Sequence, residues 1–130
     1  MNKRKPIPKK LRQEVYEKYN GHCAYCGCEL EMKDMQVDHL ISVSRAKWKK
    51  EEIDLNHIDN LMPSCRGCNY YKDTCSIETF RKNMKTIMER VRKSFTFRLA
   101  EKYGMVEEKT WDGEFYFEKY GKEENISKSY

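Results

Sequence analysis

The stretch Asp59-Asn60-Leu61-Met62-Pro63-Ser64-Cys65-Arg66-Gly67-Cys68-Asn69 decides the fold. Two residues between cysteines let both thiolates turn toward one point, so Cys65 and Cys68 form half of a tetrahedral cage. The other half lies upstream in Cys23-Ala24-Tyr25-Cys26-Gly27, with 38 residues between Cys26 and Cys65. Four thiolates make a soft, closed donor set, which suits Zn²⁺ in a structural role. Cys23, Cys26, Cys65 and Cys68 are therefore the expected zinc ligands. A redox-active Cys-x-x-Cys is the weaker reading, because no βαβ pattern surrounds either pair. Cys28 and Cys75 are left as free thiols, with Cys28 close enough to Cys26 to compete as a ligand. The span between the knuckles exceeds that of a simple zinc ribbon, so the cage holds an insert.

That insert carries reactive groups. Residues 35–43 read as a strand rich in apolar and β-branched side chains, containing Val37-Asp38-His39-Leu40. Leu61 and Met62 read as a short returning strand ended by Pro63, and Cys65 opens a short helix through Lys72. Residues 44–59 read as a polar loop or helical excursion. Hydrolysis of a phosphodiester needs a base to take a proton from water, and a neutral imidazole suits that task near pH 7. It also needs a hard cation against the phosphate, which takes carboxylate and amide oxygens as ligands. His39 meets the first need; Asp38 and Asn69 meet the second. Neighbours on a strand point to opposite faces, so Asp38 and His39 would approach the reacting group from two sides. Asn60, beside the returning strand, would keep His39 in register.

Taken together, Tyr19 to Gly27, Val37 to Ser42, Asp59 to Asn69 and Lys72 resemble the HNH endonuclease family, whose unit is the ββα-metal (His-Me finger) motif. The Cys68-Asn69 junction and the knuckle spacing are similar to phage junction-resolving nucleases of the same superfamily. The resemblance covers roughly the first 75 residues. It implies His39 as general base, Asp38 and Asn69 as ligands of a catalytic divalent cation (Mg²⁺, Mn²⁺ or another), and Asn60 in the structural middle position. The last position is Asn where much of the family has His. The implied activity is metal-dependent DNA hydrolysis leaving 5′-phosphate ends. The rival from another class is a non-catalytic zinc-stapled nucleic-acid-binding or packaging adaptor.

The flanks extend the reading. Pro6 and Pro8 precede an apolar stripe of Leu11, Val15, Tyr16 and Tyr19, which predicts a basic N-terminal helix over 9–19 stopped by Asn20-Gly21. Ile77, Phe80, Met84, Ile87, Met88, Val91, Phe95 and Leu99 recur at threes and fours, predicting one long amphipathic helix over 76–103. Asp112-Gly113 between aromatic flanks predicts a short terminal β-hairpin. The expected class is thus α+β: a module over 1–75 and an extension over 76–130.

The 130 residues carry a formal charge of +5, unevenly distributed. Residues 1–12 hold six basic groups and no acid, and residues 76–104 are also strongly basic. Two basic flanks around a mildly acidic, cation-binding middle suit a polyanion such as DNA. Lys3, Arg4 and Lys5 on the arm, the basic face of the long helix, and Arg66 and Lys72 beside the catalytic unit are the expected phosphate contacts. No apolar run is long enough to span a bilayer, and no secretory leader is legible, so a cytoplasmic setting is expected, the host cytoplasm if the chain is phage-encoded. The remaining expected partners are a second copy of the chain or phage packaging proteins.

Overall fold

The computed structural model describes residues 6–42 and 55–121. Lys3, Arg4 and Lys5, the end of the expected first strand at residue 43, and most of the polar segment after it lie outside the described residues. Helix α1 (Lys9–Lys18) starts after Pro8, whose ψ of 149° is extended. It ends as expected from the sequence: Asn20 and Gly21 take positive φ, 54° and 78°, conformations that Asn and Gly tolerate. Val15 is the buried residue of its apolar stripe. Lys18 reaches across to the carbonyls of Ile58 (2.7 Å) and Leu61 (3.0 Å), tying α1 to the sheet.

The sheet is one antiparallel pair. Strand β1 (Gln36–His39), shorter than the expected 35–43, lies against β2 (Leu61–Ser64), with Val37 opposite Pro63 and His39 opposite Leu61. Pro63, expected to end the second strand, lies inside it. The reason is register. Leu40 N–H donates to the Asn60 carbonyl, and bonded and non-bonded pairs alternate along an antiparallel ladder, so Val37–Pro63 is a non-bonded pair. The position that proline leaves without an N–H faces away from β1, so the ladder is intact. The Pro63 carbonyl faces outward too, and accepts from Ala24 N–H at 2.8 Å. Thus the first knuckle is pinned to the free edge of β2.

Helix α2 (Arg66–Lys72) follows at once, giving the strand-strand-helix order. The long helix expected over 76–103 is instead three: α3 (Ile77–Lys85), α4 (Ile87–Val91) and α5 (Phe95–Lys102). Polar side chains make the breaks. The Thr86 hydroxyl donates back to the Lys82 carbonyl at 3.0 Å, and Ser94 accepts from Phe97 N–H to start a new helix. The expected terminal hairpin is absent among the described residues. Asp112 accepts from Glu114 N–H in a local turn, and residues 116–121 form a further helix, α6. The Glu118 carboxylate accepts from Phe115 N–H at 2.9 Å, the reciprocal half of a capping box.

The core crosses residue 75. Val15, Cys23, Ala24, Tyr25, Leu30, Met35, Leu61, Met62, Phe80 and Phe115 form one buried cluster. Phe80 and Phe115 stack at 4.9 Å, and each meets the Tyr25 ring edge-on. The extension therefore packs directly on the first knuckle. No described helix is long and apolar enough to cross a membrane.

Candidate functional site

The four expected cage residues converge. The sulfurs of Cys23, Cys26, Cys65 and Cys68 all lie within 4.8 Å of one another, and none of these cysteines is in a disulfide. Cys26 and Cys65 sulfurs are 3.8 Å apart, the separation set by about 2.3 Å Zn–S bonds at tetrahedral corners. Backbone amides support the thiolates: Tyr25 N–H donates to Cys23 and Cys68 N–H to Cys65, each at 3.4 Å. A hydrogen bond from Cys68 holds the Cys23 thiol down to about 4, against the opposing effect of burial. Geometry and donor chemistry both fit a zinc site. Gly27 closes the first knuckle at φ +80°, and a Cβ there would come within 2.7 Å of the Tyr116 ring. Cys28 lies outside the cluster of four.

Asp38 and His39, on β1 between the knuckles, are 7% and 6% exposed. Alternation along the strand sends them to different surroundings. Asp38 Oδ2 accepts from the Tyr25 hydroxyl and from the Lys72 ammonium, the latter at 3.0 Å. Burial and the Asp38 charge push the Tyr25 phenol far above its ordinary range, so it remains a donor. His39 turns its Nε2 to the Asn56 amide oxygen at 2.9 Å. Its Nδ1 is buried and has no partner among the described residues.

Lys72 corrects an expectation. The sequence puts it among the phosphate contacts, but its side chain is fully buried. It also donates to the His39 carbonyl at 3.3 Å. His39–Leu61 is a non-bonded pair, so that carbonyl points off the outer edge of β1, toward α2. One ammonium thus ties the helix to both members of the Asp38–His39 pair. Asn69 precedes Lys72 by three residues on α2, which places both on one helical face. Asn69 is half-buried, and a carboxylate from Asp38 with an amide oxygen from Asn69 is the hard donor set that Mg²⁺ or Mn²⁺ takes. This donor chemistry fits a divalent cation.

Asn60 is buried and fully engaged. Its Oδ1 accepts from Ile41 N–H (2.7 Å), and its Nδ2 donates to the carbonyls of Ile41 (3.1 Å) and Leu55 (2.9 Å). It fastens the exit of β1 to the segment returning toward β2. Arg66 is exposed at the start of α2. Four arginines of the basic face expected on the 76–103 helix meet partners within the chain, two of them carboxylates. Arg81 makes a bidentate pair with Glu118 (2.6 and 2.9 Å), Arg92 binds Glu108, Arg90 meets the Tyr71 hydroxyl, and Arg98 meets the Arg92 carbonyl.

Three residues at the site have roles that the sequence does not assign: Tyr25, Lys72 and Asn56. An aromatic residue between two ligand cysteines is the legible sign of Tyr25. Asn56 sits in a polar run with no local signal.

A two-stranded antiparallel sheet and a following helix around a buried Asp-His pair, clamped by four thiols, define a ββα-metal module. The family model described as HNH endonuclease matches residues 23–74, the segment that holds both knuckles, the two strands and α2. No curated protein and no solved structure gives a significant match.

Proposed function

We propose that the protein is a metal-dependent DNA endonuclease that hydrolyses phosphodiester bonds, with His39 as general base and one divalent cation. The observation that carries this reading is His39 itself: one ring nitrogen is held by Asn56, and the other is buried without a described partner. A general base needs such a free lone pair. Asp38 and Asn69 would hold the cation, which when bound supplies positive charge against the phosphate and the departing 3′ oxygen. Both described contacts to Asp38 fall on Oδ2, which leaves Oδ1 for that role. His39 takes the proton from the attacking water, and Lys72 and Tyr25 keep Asp38 oriented. Zn²⁺ in the thiolate cage is structural. Arg66 and the arm bearing Lys3, Arg4 and Lys5 supply phosphate contacts, which give affinity without sequence choice.

The test is supercoiled plasmid incubated with purified, zinc-loaded protein, with and without Mg²⁺ or Mn²⁺. Cation-dependent nicking or linearisation, abolished in His39→Ala while DNA binding persists, is the expected result. Plasmid that is bound but never cut would favour the adaptor reading.

A further inference from the structure

We infer that Asn56 is a positioning residue that fixes His39 in the tautomer protonated on Nε2, so that Nδ1 offers its lone pair to the reaction. The inference rests on the reading of His39 as general base and adds the group that aims it. A neutral imidazole carries one N–H, and which nitrogen bears it follows from the partners. Asn56 Oδ1, 2.9 Å from Nε2, can only accept. The proton therefore sits on Nε2. The other tautomer would set two lone pairs against each other at that distance and would bury an N–H at Nδ1, where no described group accepts it.

The support behind Asn56 comes from Asn60. One Asn60 side chain holds the backbone of Ile41, two residues after His39, and the carbonyl of Leu55, the residue before Asn56. The segment is closed again where Asn60 N–H donates to the His57 carbonyl at 2.8 Å. Thus the imidazole and the amide that orients it are both referred to Asn60. Lys72 fixes β1 to α2 through the His39 carbonyl, so the backbone that carries the ring is held as well.

The tautomer can be read without DNA or catalytic cation. The measurement is a long-range ¹H–¹⁵N correlation spectrum of zinc-loaded protein labelled with ¹⁵N-histidine, at about pH 8, above the ordinary imidazole titration range. His39 is assigned by the signals missing in His39→Ala. A protonated, pyrrole-type Nε2 with a pyridine-type Nδ1 is expected, collapsing to mixed tautomers in Asn56→Leu and preserved in Asn56→Asp, which keeps an acceptor. In cleavage assays Asn56→Leu should lose about 10- to 100-fold in kcat with little change in KM for DNA, and Asn56→Asp should recover part of the loss. A wild-type His39 protonated on Nδ1, or a tautomer pattern unmoved by Asn56→Leu, would overturn the inference. A correct tautomer in a protein that leaves plasmid intact under every cation would overturn the nuclease reading alone.

Discussion

The Lys72–Asp38 pair sets the energetics at the residue scale. Both side chains are almost fully buried, with 0% and 8% exposure, so each depends on the other for the solvation that water would have given. Lys72→Met should destabilise the fold by about 3–5 kcal/mol in urea denaturation, because it strands a buried carboxylate. Adding Asp38→Leu to that variant should restore much of the stability, since removing both charges leaves none unpaired. If Lys72 were instead a surface phosphate contact, Lys72→Met would change DNA affinity and leave stability nearly untouched. Asp38, His39 and Asn60 are legible in the sequence, because residue types suited to the chemistry stand beside a returning strand. Lys72 is not, because a lysine after Tyr70 and Tyr71 has the local look of a solvated helix end. Only the packing of α2 on β1 turns that ammonium inward. Asn56 is hidden for a related reason: its partner is 17 residues away, and nothing in its neighbours encodes the pairing.

Elements of the extension show how a correct period can hide a wrong element. Apolar residues from Ile77 to Leu99 keep helical spacing across both breaks, so periodicity alone joins α3, α4 and α5 into one rod. Thr86 and Ser94 carry the contrary signal, each being a side chain able to bond local backbone in place of the helix ladder. The expected hairpin fails differently. Asp112 and Gly113 do turn the chain, with Gly113 at φ +84°, but the next segment places Tyr116 and Phe117 N–H groups on the carbonyls of Tyr25 and Ala24. Donors spent on the knuckle cannot build a second hairpin strand. Because Phe115 packs between Tyr25, Phe80, Trp111 and Phe117, Phe115→Ala should cost about 3–5 kcal/mol, typical of a buried aromatic truncated to alanine. Thermal melting of the zinc-loaded protein would measure it. An extension that merely hung from the module would show almost no change.

For the whole molecule, charge and metal act through different parts. Arg81 and Arg92 are paired with carboxylates within the chain, and the proposed phosphate contacts are Arg66 and the N-terminal arm. Replacing Lys3, Arg4 and Lys5 by Gln should reduce the slope of log affinity against log salt by up to about 0.9 for each phosphate no longer neutralised, as read from DNA binding at graded ionic strength. A zinc ion held by the four thiolates would govern folding itself. Among the described residues ten hydrophobic side chains form the buried core, and Cys23 is one of them. The binding free energy of a structural thiolate zinc is about 10–16 kcal/mol in small peptides, as large as the whole stability of an ordinary domain, about 5–15 kcal/mol. A strong chelator should therefore abolish the cooperative transition rather than shift it. Its effect should also pass residue 75, since Phe80 and Phe115 rest on Tyr25, which lies between two of the cage cysteines. Hydrogen exchange followed during zinc removal should show α3 and α6 losing protection together with β1, β2 and α2. If α3 and α6 stayed protected while the knuckles opened, the extension would hold a core of its own, and the single core spanning both halves would not be the unit that folds.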